Sequence, residues 1–501
     1  MNKENVCLHF FKVSTKEHHW DCKFCSDDKG NSTKTLKQKK GTGWSNLFAH
    51  IQSVHTDYNN IIKEKTKAMF TVPAKVNNMT NWIELMVMKN LPLALVDDDM
   101  FRKASCYTPV SSNSLKKYME LLCREMEEEL RNILPKMFGI IFDGWSEGND
   151  HFIALFACYH QKGETKTPLL AFQPIPDYDA SNETDYQLTA AAHKEFIIST
   201  LAFYKRVPEA LTFLVGDNCS TNKSLATLCG VPLIGCGSHR LNLAVKTFLE
   251  PFEPILKKIH ELMGKLSNIK QAAKLRRATA LQPVKRNVTR WSSTFSMIKR
   301  FFELEEHVDS RDAELIPFIP SRREEQELRN ILSDLNVFES VSKKLQEADI
   351  NLLTQRKLFD AIISKYPQTS GYLGSTSRIV HSPNFESGIC KIIQGNEDLD
   401  EDEEEALLQF KNHLIIDGED DLSFADQVLK KQRLSQYQDL SFIPPTSNLA
   451  ERFFSAASFV MTDLRKSTLP KNLEMIMFLK CNRELWDAKL IAKVFNEERR
   501  A

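Results

Sequence analysis

The chain has 501 residues, 42% of them hydrophobic and 26% charged, and its 66 basic and 66 acidic side chains cancel to a formal net charge of zero. That length exceeds one compact core and predicts roughly two to four domains. No apolar run reaches the ~18 residues of a membrane span, no signal-peptide core opens the chain, and the 11 scattered cysteines fit reduced thiols with a metal site better than a disulfide framework. Membrane-spanning and exported classes are therefore not expected. Neutrality gives DNA binding no support, but the charge is segregated. Lys34 to Lys40 holds four lysines and no acid, whereas Glu397 to Glu405 is almost wholly acidic and reads as a solvated loop.

Cys22 and Cys25 stand in C-K-F-C, and His50 and His55 in L-F-A-H-I-Q-S-V-H. Two thiolates on a tight turn and two imidazoles about a helical turn apart can converge on one tetrahedral zinc. The histidines lie on an amphipathic stretch whose apolar side is Leu47, Ile51 and Val54. Unrelated cysteines and surface histidines are the plain alternative, but four ligands at workable spacing favour zinc. A domain this small usually needs its metal to fold. Lys37, Lys39 and Lys40 fall between the ligand pairs, placed to meet phosphates or to act as a nuclear-localisation patch. The long Cys-to-His gap, with Phe11 and Trp20 ahead of the cysteines, resembles a BED-type zinc finger.

Residues 61–102 carry a helical pattern. Ser111 to Met137 is predicted as one amphipathic helix, because Leu115, Tyr118, Leu122, Met126, Leu130 and Ile133 recur at three- and four-residue steps. Phe138 to Phe142 predicts a buried strand with Asp143 at its end. His151–Tyr159 and Pro168–Phe172 read as further strands of an antiparallel meander. A helix over Asp185–Tyr204 follows, then a strand over Leu211–Val215 running into G-D-N-C-S-T-N with Asp217. Val231–Ile234 is a short strand, and C-G-S-H-R-L-N-L opens a helix. Arg322 to Tyr366 is dense in helix formers, and Gly371 to Pro383 reads as a loop. Near the C-terminus T-S-N-L-A-E-R-F-F-S-A-A-S centres on Glu451. Leu449, Phe453, Ala456 and Val460 form an apolar helical face there, and Asn472 to Asn482 reads as a second helix.

A single Asp after a strand is usually a cap or turn residue. The series is more informative. D-G-W-S at Asp143, G-D-N-x-x-x-N at Asp217, C-x-x-H-x-x-N-L from Cys236, T-R-W-S-S-T around Trp291 and the Glu451 segment occur in the order found in hAT-superfamily transposases. Arg465 followed by Leu469-Pro470 extends the match. The resemblance spans the finger to about Trp486 and is weakest between Phe301 and Leu440.

The resemblance implies an α+β multidomain chain. Its parts would be a BED-type zinc finger over 1–60, a helical DNA-binding and dimerisation region over 61–137, and the first part of an RNase H-like core over 138–265. An all-α insertion with an acidic loop would occupy 266–440, and the last core helix with a dimerisation segment 441–501. Asp143, Asp217 and Glu451 would form a DDE triad holding Mg²⁺ or Mn²⁺; spacing alone does not pair them. Two such cations ~3.5–4 Å apart activate a nucleophile and stabilise the leaving oxygen. Trp291 would stack on a base flipped out during hairpin formation, with Trp145 nearby. Both tryptophans also suit a core. His239 would position phosphate or support the acids, Cys236 would pack, and Arg290 would contact phosphate. The expected activity is cut-and-paste DNA transposition in the nucleus, on double-stranded transposon ends and target DNA, by a self-associating protein. The alternative is a domesticated, catalytically inactive nuclear DNA-binding protein or transcription regulator.

Overall fold

The computed structural model describes residues 3–14, 16, 18–25, 34–38, 44–58, 73–148, 150–174, 189–287, 290–396, 398–412, 436–461 and 469–498. The protein is mixed α+β, with a small N-terminal sheet, a larger central sheet and a helical C-terminal region. The chain divides into two compact units. Met1–Met86, Pro92–Leu122 and Trp486–Ala501 form one, and Val87–Leu91 with Cys123–Leu485 the other. Among the described residues no helix is long and apolar enough to cross a membrane.

In the first unit, α1 (Lys3–Phe10) leads into strands β1 (Phe11–Val13), β2 (His19–Cys22) and β3 (Thr35–Lys37), and α2 (Ser45–Val54) closes the fold. The three strands are antiparallel, with Phe11 opposite Cys22 and Trp20 opposite Leu36. The core is small: Val6, Cys7, Phe10, Phe11, Cys22, Leu47 and Ile51, with Trp20 and Trp44 packed edge-on at 5.3 Å beside it. So little buried apolar surface leaves a domain of this size marginal by itself. Residues 59–72, the start of the helical stretch expected over 61–102, lie outside the described residues. The rest of that stretch is broken into α3 (Ala74–Met88), a 3₁₀ turn at Leu93–Asp97 and α4 (Asp99–Ala104). Asp98 caps α4 by accepting from the Phe101 N–H. The long helix α5 runs over Ser112–Ile133. Tyr118 on its first half stacks at 4.1 Å on Phe495 of the C-terminal helix Ala488–Glu498.

The second unit is built on a sheet. Strand β4 (Phe138–Glu147) is buried over Phe138–Phe142 and then alternates between half-buried and exposed residues. It pairs antiparallel with β5 (Asp150–Gln161), which also pairs with β6 (Glu164–Lys166) and β7 (Leu169–Pro174). Asp143 lies opposite Ala154, inside the strand rather than at its end. The apolar run stops at Phe142 because one face of the outer half meets solvent, while the backbone ladder continues to Glu147. Helix α6 (Ala190–Phe203) is capped by Thr189, and the earlier part of the helix expected from Asp185 lies outside the described residues. Strand β8 (Leu211–Gly216), helix α7 (Ser220–Cys229) and strand β9 (Leu233–Gly235) follow. Strands β8 and β9 are parallel to β4, which gives the order β6-β5-β4-β8-β9 with β7 beside β5.

Helix α8 (Gly237–Leu249) leaves the sheet and opens a helical layer. It packs with α9 (Glu253–Leu266), α10 (Ile269–Ala278), α11 (Trp291–Leu304), α12 (Arg322–Leu345) and α13 (Leu352–Lys365). Leu241, Ile259, Ile298, Phe338 and Phe359 lie in their common core. Gly371–Pro383 is not simply a loop: α14 (Ser370–Leu373) enters it and α15 (Pro383–Ile393) begins at its end. The reason is Arg240 on α8, which is 0% exposed. Its guanidinium donates to the Tyr372 carbonyl (3.0 Å), the Gly374 carbonyl (3.0 Å) and Glu386 Oε2 (3.2 Å).

The acidic stretch is also not merely a solvated loop. Asp400 and Glu403 form a capping box that starts α16 (Glu401–Ala406), and Glu403 is 3% exposed, held by Lys391 at 2.6 Å. Glu397 itself lies outside the described residues. The unit ends with α17 (Asn448–Val460) and α18 (Pro470–Cys481).

Replacing Arg240 by Ala should cost about 3–5 kcal/mol, because it strands a buried Glu386 carboxylate and frees the carbonyls of the 372–374 turn. Removing both charges with Arg240→Met and Glu386→Gln should cost much less. Urea unfolding of the two variants checks this; equal losses would mean that the ion pair does not matter.

Candidate functional site

Two clusters concentrate chemistry. The first is in the small N-terminal sheet. Cys22 ends β2, Cys25 follows the turn, His50 lies on α2 and His55 just beyond it. Their ligand atoms all fall within 4.8 Å of one another. Cys22 Sγ is 3.2 Å from His55 Nε2, and Cys25 Sγ is 3.5 Å from His50 Nε2 and 3.4 Å from His55 Nε2. A tetrahedral zinc, with bonds near 2.3 Å to sulfur and 2.0–2.1 Å to nitrogen, puts S and N about 3.6 Å apart. The residues therefore fit the metal in kind and in spacing, as in a Cys2His2 zinc finger.

Packing sets the rings. Phe11 lies 5.7 Å from His50, while Phe10 and Phe24 lie 5.6 Å and 5.9 Å from His55. Burial, then the neighbouring His55, holds the His50 imidazole below its ordinary value, so it is neutral and able to ligate near pH 7. Burial, then Cys22, raises the Cys25 thiol, so metal binding there must displace protons. Lys34 and Lys37 are exposed on this module. Lys39 and Lys40 lie outside the described residues.

The second cluster is assembled by the central sheet. In the parallel pair β4–β8, Ile141 lies opposite Val215; two residues further along, the strands reach Asp143 and Asp217. Asp217 follows the last residue of β8, and Asn222 Nδ2 donates to its carbonyl at 3.0 Å. Glu451 is in the first turn of α17. That helix lies on the sheet through Phe453, which meets Phe172 at 4.8 Å and Phe156 at 5.4 Å edge-on. Phe454 stacks on Trp145 at 6.0 Å.

His239, in the first turn of α8, places Nδ1 3.1 Å from Asp217 Oδ2. Arg290, whose side chain is 73% exposed, places Nη2 3.8 Å from Glu451 Oε2. Asp143 feels the other two acids. Asp143 is pushed up to about 7, first by burial, then by Asp217 and Glu451, with the Gly144 N–H and His239 opposing the rise. The hydrogen bond to Asp217 raises His239 above its ordinary value.

This set is more open than the first. Among the described residues only the Cys2His2 group brings three or more ligand atoms within 4.8 Å. Mg²⁺ and Mn²⁺ take carboxylate oxygens and keep several waters, so these acids would suit such a cation in kind.

The remaining residues singled out in the sequence are placed as follows. Trp145 is half-buried among Phe152, Phe172 and Phe454. Trp291 is 6% exposed and lies in the helical core, 6.5 Å from Phe338. Its placement is that of a packing residue, and stacking on an extruded base would require uncovering it. Cys236 is buried, its thiol pushed up to about 12 chiefly by burial, and it packs as expected. Arg465 lies outside the described residues. Arg240 was not anticipated as a structural centre. The signal was available: at i+4 from Cys236 and i−4 from Ala244, it sits on the apolar stripe of its helix.

No protein-family model matches the chain. A search of curated proteins likewise returns no match.

Proposed function

We propose that the chain is a metal-dependent DNA-cleaving and DNA-joining protein of the hAT transposase type, with a zinc finger that contacts DNA. The observation that carries the reading is the parallel β4–β8 register that brings Asp143 and Asp217 to the same level, with Glu451 of a distant helix joining Asp217 in raising the proton affinity of Asp143. Antiparallel strands followed by parallel β8 and β9, with β4 in the interior of the sheet, support the RNase H-like reading of this region. Asp143, Asp217 and Glu451 would hold Mg²⁺ or Mn²⁺, which supplies an activated water or 3′-hydroxyl and charge stabilisation at the leaving oxygen. His239 orients Asp217 through its 3.1 Å contact. Arg290 is exposed beside Glu451, where it can hold a phosphate. Lys34 and Lys37 are exposed on the finger for backbone contact. Transposon ends and target DNA as substrates, self-association and nuclear residence belong to the same proposal.

The test is cleavage of a plasmid carrying the gene's own genomic flanks, in Mg²⁺ or Mn²⁺. End-specific cuts are expected, and Glu451→Gln should reduce them to the level of a metal-free control. Cuts that persist in the variant would remove Glu451 from the centre.

A second reading has its own support. Trp291 is covered and the net charge is zero. Both fit a domesticated protein that keeps the fold for DNA binding or transcriptional control. Zinc-dependent DNA binding without any cleavage would favour it.

A further inference from the structure

Asp217 and Glu451 are far apart in sequence, and one short segment touches the elements that carry both. The Cys236 N–H donates to the carbonyl of Gly216, the residue before Asp217, at 2.8 Å. The Gly237 N–H donates to the Pro445 carbonyl at 2.9 Å. The Ser447 N–H donates to Cys236 Sγ at 3.4 Å. The Ser447 carbonyl in turn accepts from Ala450 (2.9 Å) and Glu451 (3.4 Å), the first turn of α17. Cys236 and Ser447 are both 0% exposed, so water cannot replace the thiol as acceptor. Gly237 also has room for a side chain only if Gln355 shifts. A Cβ there would overlap the carboxamide oxygen of buried Gln355 and lie 3.3 Å from the Pro445 carbonyl.

We propose that Cys236–Gly237 is a brace that fixes Glu451 relative to Asp217, and that Cys236 and Gly237 are positioning residues for the acids. This rests on reading the three acids as one centre. The same turn carries His239 two residues later, so one segment sets both the partner of Asp217 and the seat of Glu451.

Amide exchange on the full chain tests the brace without relying on catalysis. In Gly237→Ala, exchange over residues 445–451 should speed up by about tenfold or more, while α18 is unchanged. Adding Gln355→Ala should restore protection by making room for the methyl group. Cys236→Ala should loosen the same amides, and Cys236→Ser, which keeps an acceptor, should do so less. In parallel, the Mn²⁺ concentration that gives half-maximal cleavage should rise in Gly237→Ala at unchanged DNA affinity, and fall back in the double variant. Unaltered exchange over 445–451, or loosening that spreads equally to α18, overturns the brace. A parent chain that neither cleaves DNA nor responds to Mn²⁺ overturns the catalytic reading instead, and the exchange result still decides the brace.

Discussion

Chelation of zinc at neutral pH is expected to unfold residues 3–58 while the second unit stays folded. The module's apolar core consists of few residues, drawn from α1, β1, β2 and α2. The Cys22, Cys25, His50 and His55 cluster joins its sheet to its helix. Structural zinc in such modules contributes apparent energies of about 10–16 kcal/mol, more than a core this size supplies. Cys22→Ala and His50→Ala should behave like chelation, and added zinc should rescue the chelated parent but not the variants. The fluorescence of Trp20 and Trp44, which pack together here, reports the transition, and any DNA binding by the module should be lost with it. Acid should mimic chelation, since the raised Cys25 thiol recaptures its proton as pH falls. Retention of amide protection across α2 after chelation would show that the module folds without metal.

The second large effect concerns Asp143. Its folded-state value of about 7 lies well above the ordinary 3.8. A carboxyl shifted upward destabilises the fold once it must ionise. The cost is absent below the unfolded value, grows between pH 4 and 7, and is complete above about 7. Without divalent cations, Asp143→Asn should therefore raise stability at pH 8, by an amount on the order of a few kcal/mol, and change little at pH 4. Mg²⁺ or Mn²⁺ should stabilise the parent more at pH 8 than at pH 5.5, because the cation competes with the proton. The Asn variant should lose that response and any cleavage activity together. Thermal unfolding across pH, with and without Mn²⁺, checks each part. An equal metal response in parent and variant would show that the cation binds elsewhere.

Much of this architecture was legible because apolar runs and polar breaks coincide with buried strands and their ends. Phe138–Phe142 and Leu211–Val215 point directly to β4 and β8. Sequence patterning misplaced Asp143 at a strand end, because a ladder can continue after one face turns to solvent. Composition misled over the acidic stretch. A run of acids looks solvated, yet Glu403 is inside because Asp400 caps its helix and Lys391 meets its carboxylate. Gly371–Pro383 looked unstructured because the donor that organises it, Arg240, lies far upstream in sequence. The pairing of Asp143 with Asp217 follows from a parallel register that no local pattern encodes. The position of Glu451 depends on hydrogen bonds to Cys236 and Gly237, distant in the chain.

The late arrival of Glu451 has a consequence for synthesis. The finger, both aspartates and the sheet emerge from the ribosome well before α17 is translated. Until then the carboxylate set lacks its third member and the brace has nothing to hold. A nascent or prematurely terminated chain would thus carry the Cys2His2 module and both aspartates without the third acid.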